Sequence, residues 1–212
     1  MIILGDCLEE MGKLQNNSVN HVFTSPPYNR KRNDKYSHYE DTKGHYLEWQ
    51  IACIKEMLRV SAGHVFYNIQ TNYYNRADIY KIMGEFADQI LDIFIWEKSN
   101  PMPASGFAIT NAVEYFIVFG SAPLRSSKTY TKNIITTAVN SQMPKNHKAV
   151  MKLEVAEFFI KHFTFENDLI LDPFFGVGTT GKACVNNKRR YLGFEIIPEY
   201  YEMASTALKG GE

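Results

Sequence analysis

The chain has 212 residues, with 23 lysines and arginines against 23 aspartates and glutamates, so its formal net charge is zero. At 45% hydrophobic and 22% charged residues, it has the composition of a globular domain, not of a disordered tract or a fibrous repeat. The balanced charge, averaged over the chain, speaks against a polybasic nucleic-acid binder.

The length suits a single domain, 1–212, large enough to bury a core without staples. Cys7, Cys53 and Cys184 are odd in number and widely spaced, which gives neither a disulfide framework nor a paired-cysteine zinc signature. The six histidines do not cluster, and no metal is expected. The first apolar run is too short for a signal peptide, and no later one approaches the roughly 18 residues of a membrane span. A soluble, cytoplasmic protein without membrane contact is the expectation.

In chain order, strands are predicted at Ile2–Leu4, His21–Thr24, His64–Ile69, Ile90–Trp96, Val113–Phe119, Leu169–Leu171 and Arg190–Phe194, all rich in β-branched and aromatic residues. Helices are predicted at His45–Val60, Tyr73–Phe86, Lys152–Phe163, Thr180–Asn187 and Pro198–Leu208. The first carries an apolar stripe from Tyr46 to Leu58, and Pro198 suits the first turn of the last. This alternation implies an α/β domain, doubly wound around a mostly parallel seven-stranded sheet. No helical segment separates Ile90–Trp96 from Val113–Phe119, so that pair reads as an antiparallel hairpin at the sheet edge. Asn29–Lys43 and Gly120–Lys148 break the rhythm; polar segments this long in a compact domain are functional or disordered.

Leu169–Leu171 runs into Asp172-Pro173-Phe174-Phe175-Gly176-Val177-Gly178-Thr179-Thr180-Gly181-Lys182. A strand entering a glycine-rich turn that opens a helix is a nucleotide-binding arrangement, because small residues let the backbone approach a ligand near free helical N–H groups. Gly176, Gly178 and Gly181 fit the dinucleotide spacing. The phosphate-loop pattern is nearly met too, but Ala183 stands where a Ser or Thr would ligate magnesium. A plain tight turn is the third reading. Glu195, 19 positions after Gly176 at the end of the next strand, is placed to accept from two ribose hydroxyls. Together these features indicate an adenosine-type cofactor without saying which.

The strand His21–Thr24 leads into Ser25-Pro26-Pro27-Tyr28-Asn29. Two prolines make a rigid, non-helical strand exit, and neither brings an N–H, so both carbonyls are expected to project without donors. Strand exits of this kind are where open α/β sheets bind ligands. A proline turn alone leaves the flanking hydroxyl and aromatic unexplained.

Ser25-Pro26-Pro27-Tyr28, taken with Asp172-Pro173-Phe174-x-Gly176-x-Gly178-Thr179-Thr180, resembles the S-adenosylmethionine-dependent DNA amino-methyltransferases, which methylate the exocyclic amine of adenine or cytosine. The catalytic motif precedes the cofactor turn, as in the permuted β group of that family. The resemblance extends over nearly the whole chain, from Gly5-Asp6-Cys7-Leu8 to Glu199-Tyr200. One departure is Lys148, where the family often has a proline after the residue matching His147.

The resemblance implies a circularly permuted, Rossmann-like methyltransferase fold with S-adenosylmethionine as cofactor. It implies that Ser25 and the Pro26 carbonyl hold the amine, with Pro27 completing the motif and Tyr28 stacking on a flipped base. By the same resemblance Asp172 balances the cofactor's amino group, and Phe174, Gly176, Gly178, Thr179 and Thr180 cradle its methionine end. Glu195 meets the ribose, and Asp6 and Cys7 meet the adenine. Serine at the first motif position is more like the cytosine-N4 members, aspartate more like the adenine-N6 members. Two rivals remain: a methyltransferase-like subunit that only binds nucleic acid, and an NAD-dependent oxidoreductase, which leaves Ser25–Tyr28 without a role.

Double-stranded DNA is the implied partner, and the charge is divided accordingly. From Tyr115 to Leu153 there are six basic and no acidic residues, among them Arg125, Lys128 and Lys132. From Asn29 to Tyr39, Arg30, Lys31, Arg32 and Lys35 stand against Asp34, a balance of +3, leaving −9 for the rest. Both segments are expected to flank the catalytic strand ends and contact phosphates. The insertions near 29–43 and 120–148 are small for reading a site of several base pairs. Recognition is therefore short and degenerate, or a second copy or partner subunit adds contacts.

Overall fold

The computed structural model describes residues 1–29, 45–104, 106, 108–139 and 150–209. Eight strands form one sheet: β1 (Ile2–Leu4), β2 (His21–Thr24), β3 (Val65–Ile69), β4 (Ile90–Lys98), β5 (Val113–Phe119), β6 (Ile134–Thr137), β7 (Leu169–Asp172) and β8 (Arg190–Glu195). Their order is β1-β8-β7-β2-β3-β5-β4-β6. Every pairing is parallel except those of β5, which runs antiparallel to both β3 and β4.

The helices are α1 (Cys7–Gly12), α2 (Tyr46–Val60), α3 (Arg76–Glu85), α4 (Leu153–Phe163), α5 (Thr179–Asn186) and α6 (Pro198–Lys209). Strand alternation sends side chains to two layers. Val22, Val65, Tyr67, Ile69, Ile117 and Phe119 face one, where Met11, Cys53, Ile54, Met57, Ile79 and Ile82 of α1–α3 close over them. Phe23, Phe66, Phe94, Phe116 and Val118 face the other, under Phe159 and Phe163 of α4 and Ala183 and Cys184 of α5. Phe116 and Phe159 approach to 4.3 Å between ring centroids. Burying such side chains stabilises the fold by roughly 1.5–3 kcal/mol each. Among the described residues no helix is long and apolar enough to cross a membrane.

Two elements lay beyond the sequence prediction. The six-residue helix α1 is held by its N-cap: the Asp6 carboxylate accepts from the Leu8 and Glu9 backbone N–H groups at 2.9 and 3.3 Å. The strand β6 arises inside the segment expected to be a loop, so the sheet has eight strands and not seven. The β4–β5 pair is antiparallel as expected, but β6 pairs with β4 beyond it, so that hairpin is not the sheet edge. The Trp96 indole N–H ties β6 down by donating to Thr137 Oγ1 at 2.9 Å.

Candidate active site

The strand order reverses between β7 and β2: α5 leaves β7 over one face, and α2 follows β2 over the other. Doubly wound sheets bind ligands at such a switch point, beyond the strand C-termini. Here the two sequence motifs meet. Thr24, the last residue of β2, donates its hydroxyl to Asp172 Oδ1 at 2.6 Å. The Phe174 N–H reaches the same oxygen at 3.0 Å, and the Thr180 hydroxyl reaches Oδ2 at 2.5 Å. Burial nevertheless raises the Asp172 pKa to about 6, against the lowering effect of those three donors. Oδ2 accepts from Thr180 alone among the described residues, which leaves it one acceptor position.

The glycine turn departs from ordinary backbone at Gly176 and Gly178, with φ of 53° and 91°. Gly178 is the N-cap of α5 and offers no side-chain cap, so Thr179 and Thr180 begin a helix whose first N–H groups lie at the turn. Phe174 packs edge-on against Trp49 of α2 at 5.5 Å, and Phe175 stacks on Tyr191 at 5.7 Å. At the end of β8, Glu195 is 7% exposed; its Oε2 accepts from the Gly176 N–H at 2.7 Å and its Oε1 from the Ile197 N–H at 2.8 Å. Burial raises its pKa, opposed by those backbone bonds. The Ile196 N–H also acts on this carboxylate, and the acceptor capacity left over suits a ribose hydroxyl.

Asp6 follows β1, which pairs with β8, and the Gly5 N–H donates to the Glu195 carbonyl at 2.9 Å, so Asp6 lies beside the Glu195 strand end. The Cys7 thiol turns into the core, 3.9 Å from Cys53 Sγ. Any ligand contact from Cys7 would therefore come from its backbone. An open cavity of about 640 Å³ touches the turn at Gly178 and Thr179 but includes none of Ser25, Asp172 and Glu195.

Beyond β2 the two prolines differ. The Pro27 carbonyl is bonded by the Tyr46 hydroxyl at 2.9 Å and Gln50 Nε2 at 3.3 Å, which corrects the expectation that both carbonyls project without donors. It fastens the motif to α2. The Pro26 carbonyl has no donor among the described residues. Ser25 and Tyr28 enter a cluster that short motifs in the sequence do not announce. Tyr28 Oη lies 2.9 Å from Ser25 Oγ, 2.7 Å from Asn68 Oδ1 and 2.9 Å from Glu114 Oε2. Ser25 Oγ lies 3.0 Å from Asn68 Oδ1. Asn68 and Glu114 are 1% and 5% exposed, and Lys98 at the end of β4 pairs with Glu114 Oε1. The Tyr28 carbonyl is held by Asn72 and Asn75 side-chain amides, both at 2.8 Å.

Arg125, Lys128 and Lys132 are exposed. Arg125 and Lys128 are not brought to this site. Chain leaving β5 emerges at the other end of the sheet, where His64 meets the Ala122 carbonyl and the Ser127 N–H donates to the carbonyl of His162, at the far end of α4. Lys132 lies outside the sheet edge, beside β6. Arg30, Lys31, Arg32 and Lys35 lie outside the described residues.

The sheet order and the glycine turn beside two strand-end carboxylates define a Rossmann-like methyltransferase architecture. The PvuII DNA methyltransferase, described as cytosine-N4-specific, shares the fold with a TM-score of 0.78 at 21% identity, over 96% of this chain and 84% of that one. TTHA0409 of Thermus thermophilus, solved with S-adenosyl-L-methionine, gives 0.71 at 23% identity, over 99% and 93%. The N6/N4 family model described as DNA methylase matches residues 19–206. This chain belongs to that family, the S-adenosylmethionine-dependent DNA amino-methyltransferases. Two type II methyltransferases are similar in sequence. M.MwoI of Methanothermobacter wolfeii is 32% identical over 209 residues, 90% of this chain but 30% of that protein. M.HinfI of Haemophilus influenzae is 27% identical, over 98% and 68%.

Proposed function

We propose that this chain transfers a methyl group from S-adenosylmethionine to the exocyclic amine of a base flipped out of double-stranded DNA, with N4 of cytosine as the favoured target. The observation that carries this reading is the acceptor surplus around Ser25. Four short oxygen–oxygen contacts link Ser25, Tyr28, Asn68 and Glu114, yet Ser25 and Tyr28 bring one hydroxyl hydrogen each. With the donorless Pro26 carbonyl beside them, these atoms suit a ligand that donates hydrogens, as an amine does.

When bound, S-adenosylmethionine supplies an electrophilic methyl carbon on a sulfonium sulfur, whose positive charge is neutralised in the transfer. Asp172 would hold its ammonium group, Glu195 its ribose hydroxyls and the Phe174–Thr180 backbone its methionine end, with Asp6 and the Cys7 backbone toward the adenine. The amine is a weak nucleophile because its lone pair is delocalised into the ring. Ser25 Oγ and the Pro26 carbonyl, each accepting one N–H, would turn that lone pair toward the methyl carbon. The contribution of the protein is then orientation and charge placement. Tyr28 offers a ring face to the flipped base, and such stacking contributes about 1–3 kcal/mol.

The test is methylation of plasmid DNA followed by single-molecule modification sequencing, with Ser25→Ala alongside. N4-methylcytosine with the wild type, lost in Ser25→Ala while cofactor affinity is kept, is the expected result. N6-methyladenine would keep the chemistry and change the base. An unmodified plasmid would overturn the reading.

A further inference from the structure

The proposed chemistry leaves unused a buried ion pair at the end of the sheet. Glu114 lies on β5, opposite Trp96 of β4, and Lys98 follows two residues on. Because β5 runs against its neighbours, its first residues reach the end of the sheet where the parallel strands finish. Glu114 therefore arrives at Ser25-Pro26-Pro27-Tyr28 from the far side of β3, 86 residues from Tyr28 in sequence. Lys98 engages Oε1 and lies 5.2 Å from the centre of the Trp96 ring, which holds the ammonium in place. The other oxygen, Oε2, meets the Tyr28 hydroxyl.

Building this pair into a nearly closed site costs desolvation, and a carboxylate so placed is the strongest acceptor in the cluster. The single Tyr28 hydrogen therefore goes to Glu114. The Ser25 hydrogen must then point inward, to Asn68 Oδ1 or to Tyr28 Oη, both within 3.0 Å. The Asn68 amide is fixed in turn, its Nδ2 donating to the Tyr115 carbonyl at 3.1 Å. With its hydrogen committed inward, Ser25 presents lone pairs outward. We propose that Glu114, held by Lys98, is a positioning residue that sets the hydrogen-bond direction of Tyr28 and Ser25 and so makes Ser25 an acceptor for the target amine. This role rests on the methyl-transfer reading above and adds to it a residue outside both motifs. Without Glu114, the Tyr28 hydrogen turns to Asn68, and Ser25 is free to point its own hydrogen at the amine, the wrong polarity for the reaction.

The test is a double-mutant cycle on methyl transfer to plasmid DNA with Glu114→Gln, Tyr28→Phe and the two combined. Because Glu114→Gln strands the Lys98 charge and keeps an amide oxygen able to accept from Tyr28, Lys98→Met/Glu114→Leu, which leaves neither a charge nor an acceptor, is measured as a second form of the same change. Each single variant is expected to lower kcat about 10–100-fold, with S-adenosylmethionine affinity unchanged. The combination is expected to be no worse than the poorer single variant, since both break the same hydrogen bond. Losses that multiply, or a rise in KM with kcat unchanged, would overturn the role of Glu114 while leaving the proposed function standing. A wild type that methylates no DNA would remove the proposed function and this role together.

Discussion

The Thr24 hydroxyl donates to Asp172 Oδ1 at 2.6 Å across 148 residues of sequence, joining the strand that carries the Ser-Pro-Pro-Tyr motif to the one that opens the glycine turn. Adjacent parallel pairing sets this contact, since Val22 is opposite Leu171 and the next residues emerge together. One consequence is mechanical coupling: the two halves of the proposed reaction site share a hydrogen bond and cannot shift independently.

A second consequence is a proton linked to cofactor binding. Asp172 titrates at about 6 in the free protein, raised by burial. A bound ammonium would lower that value, so the complex holds fewer protons than the free protein. S-Adenosylmethionine affinity should therefore rise with pH through 6 and level off above 7. Calorimetry at pH 5.5 in buffers of different ionisation enthalpy should show a proton released on binding. Thr24→Val removes one donor to the carboxylate and should move the midpoint to higher pH. A pH-independent affinity with no proton release would detach Asp172 from the ammonium.

The motifs were legible because each is contiguous in sequence: residues 25–28 and 172–180 need only a strand before them and a helix after. Asn68, Lys98 and Glu114 were not, because they join the site only through the registers of β3, β5 and β4, which no local pattern encodes. The helix α1 escaped because six residues hold too little periodicity, although Asp6 followed by Glu9 and Glu10 was a capping signal. The run Ile134–Thr137 had the β-branched composition of a strand, hidden in a polar segment.

The same reversal of β5 changes the expected nucleic-acid surface. Had β5 been parallel, the chain after Phe119 would have left beside Ser25; running antiparallel, it carries Arg125 and Lys128 to the opposite end. Their neutralisation, Arg125→Ala with Lys128→Ala, should leave the salt dependence of DNA binding unchanged. A residue that neutralises one phosphate contributes roughly 0.9 to the log–log slope, so a fall of nearly two would return both residues to the DNA surface.

Gly193 supports the glycine turn from below. A Cβ there would sit 2.2 Å from Phe175 Cδ2 and 2.4 Å from its Cγ, with the ring buried at 3% exposure and unable to swing aside. Phe175 precedes Gly176, and its N–H donates to the Phe194 carbonyl at 2.9 Å, so moving the ring moves the turn. Gly193→Ala should cost about 1–3 kcal/mol of stability, the usual range for overpacking. It should also weaken S-adenosylmethionine binding at temperatures where the protein is still folded. Lower stability with unchanged affinity would show that the turn does not depend on Phe175.

At the opposite end of the sheet, His21 makes stability depend on pH. It is 9% exposed, its ring stacks on His64 at 5.4 Å, and its Nδ1 accepts from the His64 N–H at 3.0 Å. Burial, and secondarily the neighbouring His64, lower its pKa to about 4, against the opposite pull of Asp168 at 3.5 Å. Protonation at Nδ1 would also set two donors face to face. The unfolded chain takes up this proton near 6.5, the folded one only near 4, so the contribution of neutral His21 is complete above pH 6.5 and is lost as pH falls toward 4. The loss amounts to about 3 kcal/mol at the lower end. Asp172 and Glu195, with raised values, change stability in the reverse sense over the acid range, so total stability conceals the effect. The quantity that isolates it is the difference between wild type and His21→Asn in urea unfolding. That difference should shrink by roughly 2–3 kcal/mol between pH 7.5 and pH 4.5. A difference that stays constant would mean that His21 titrates alike in the folded and unfolded chains.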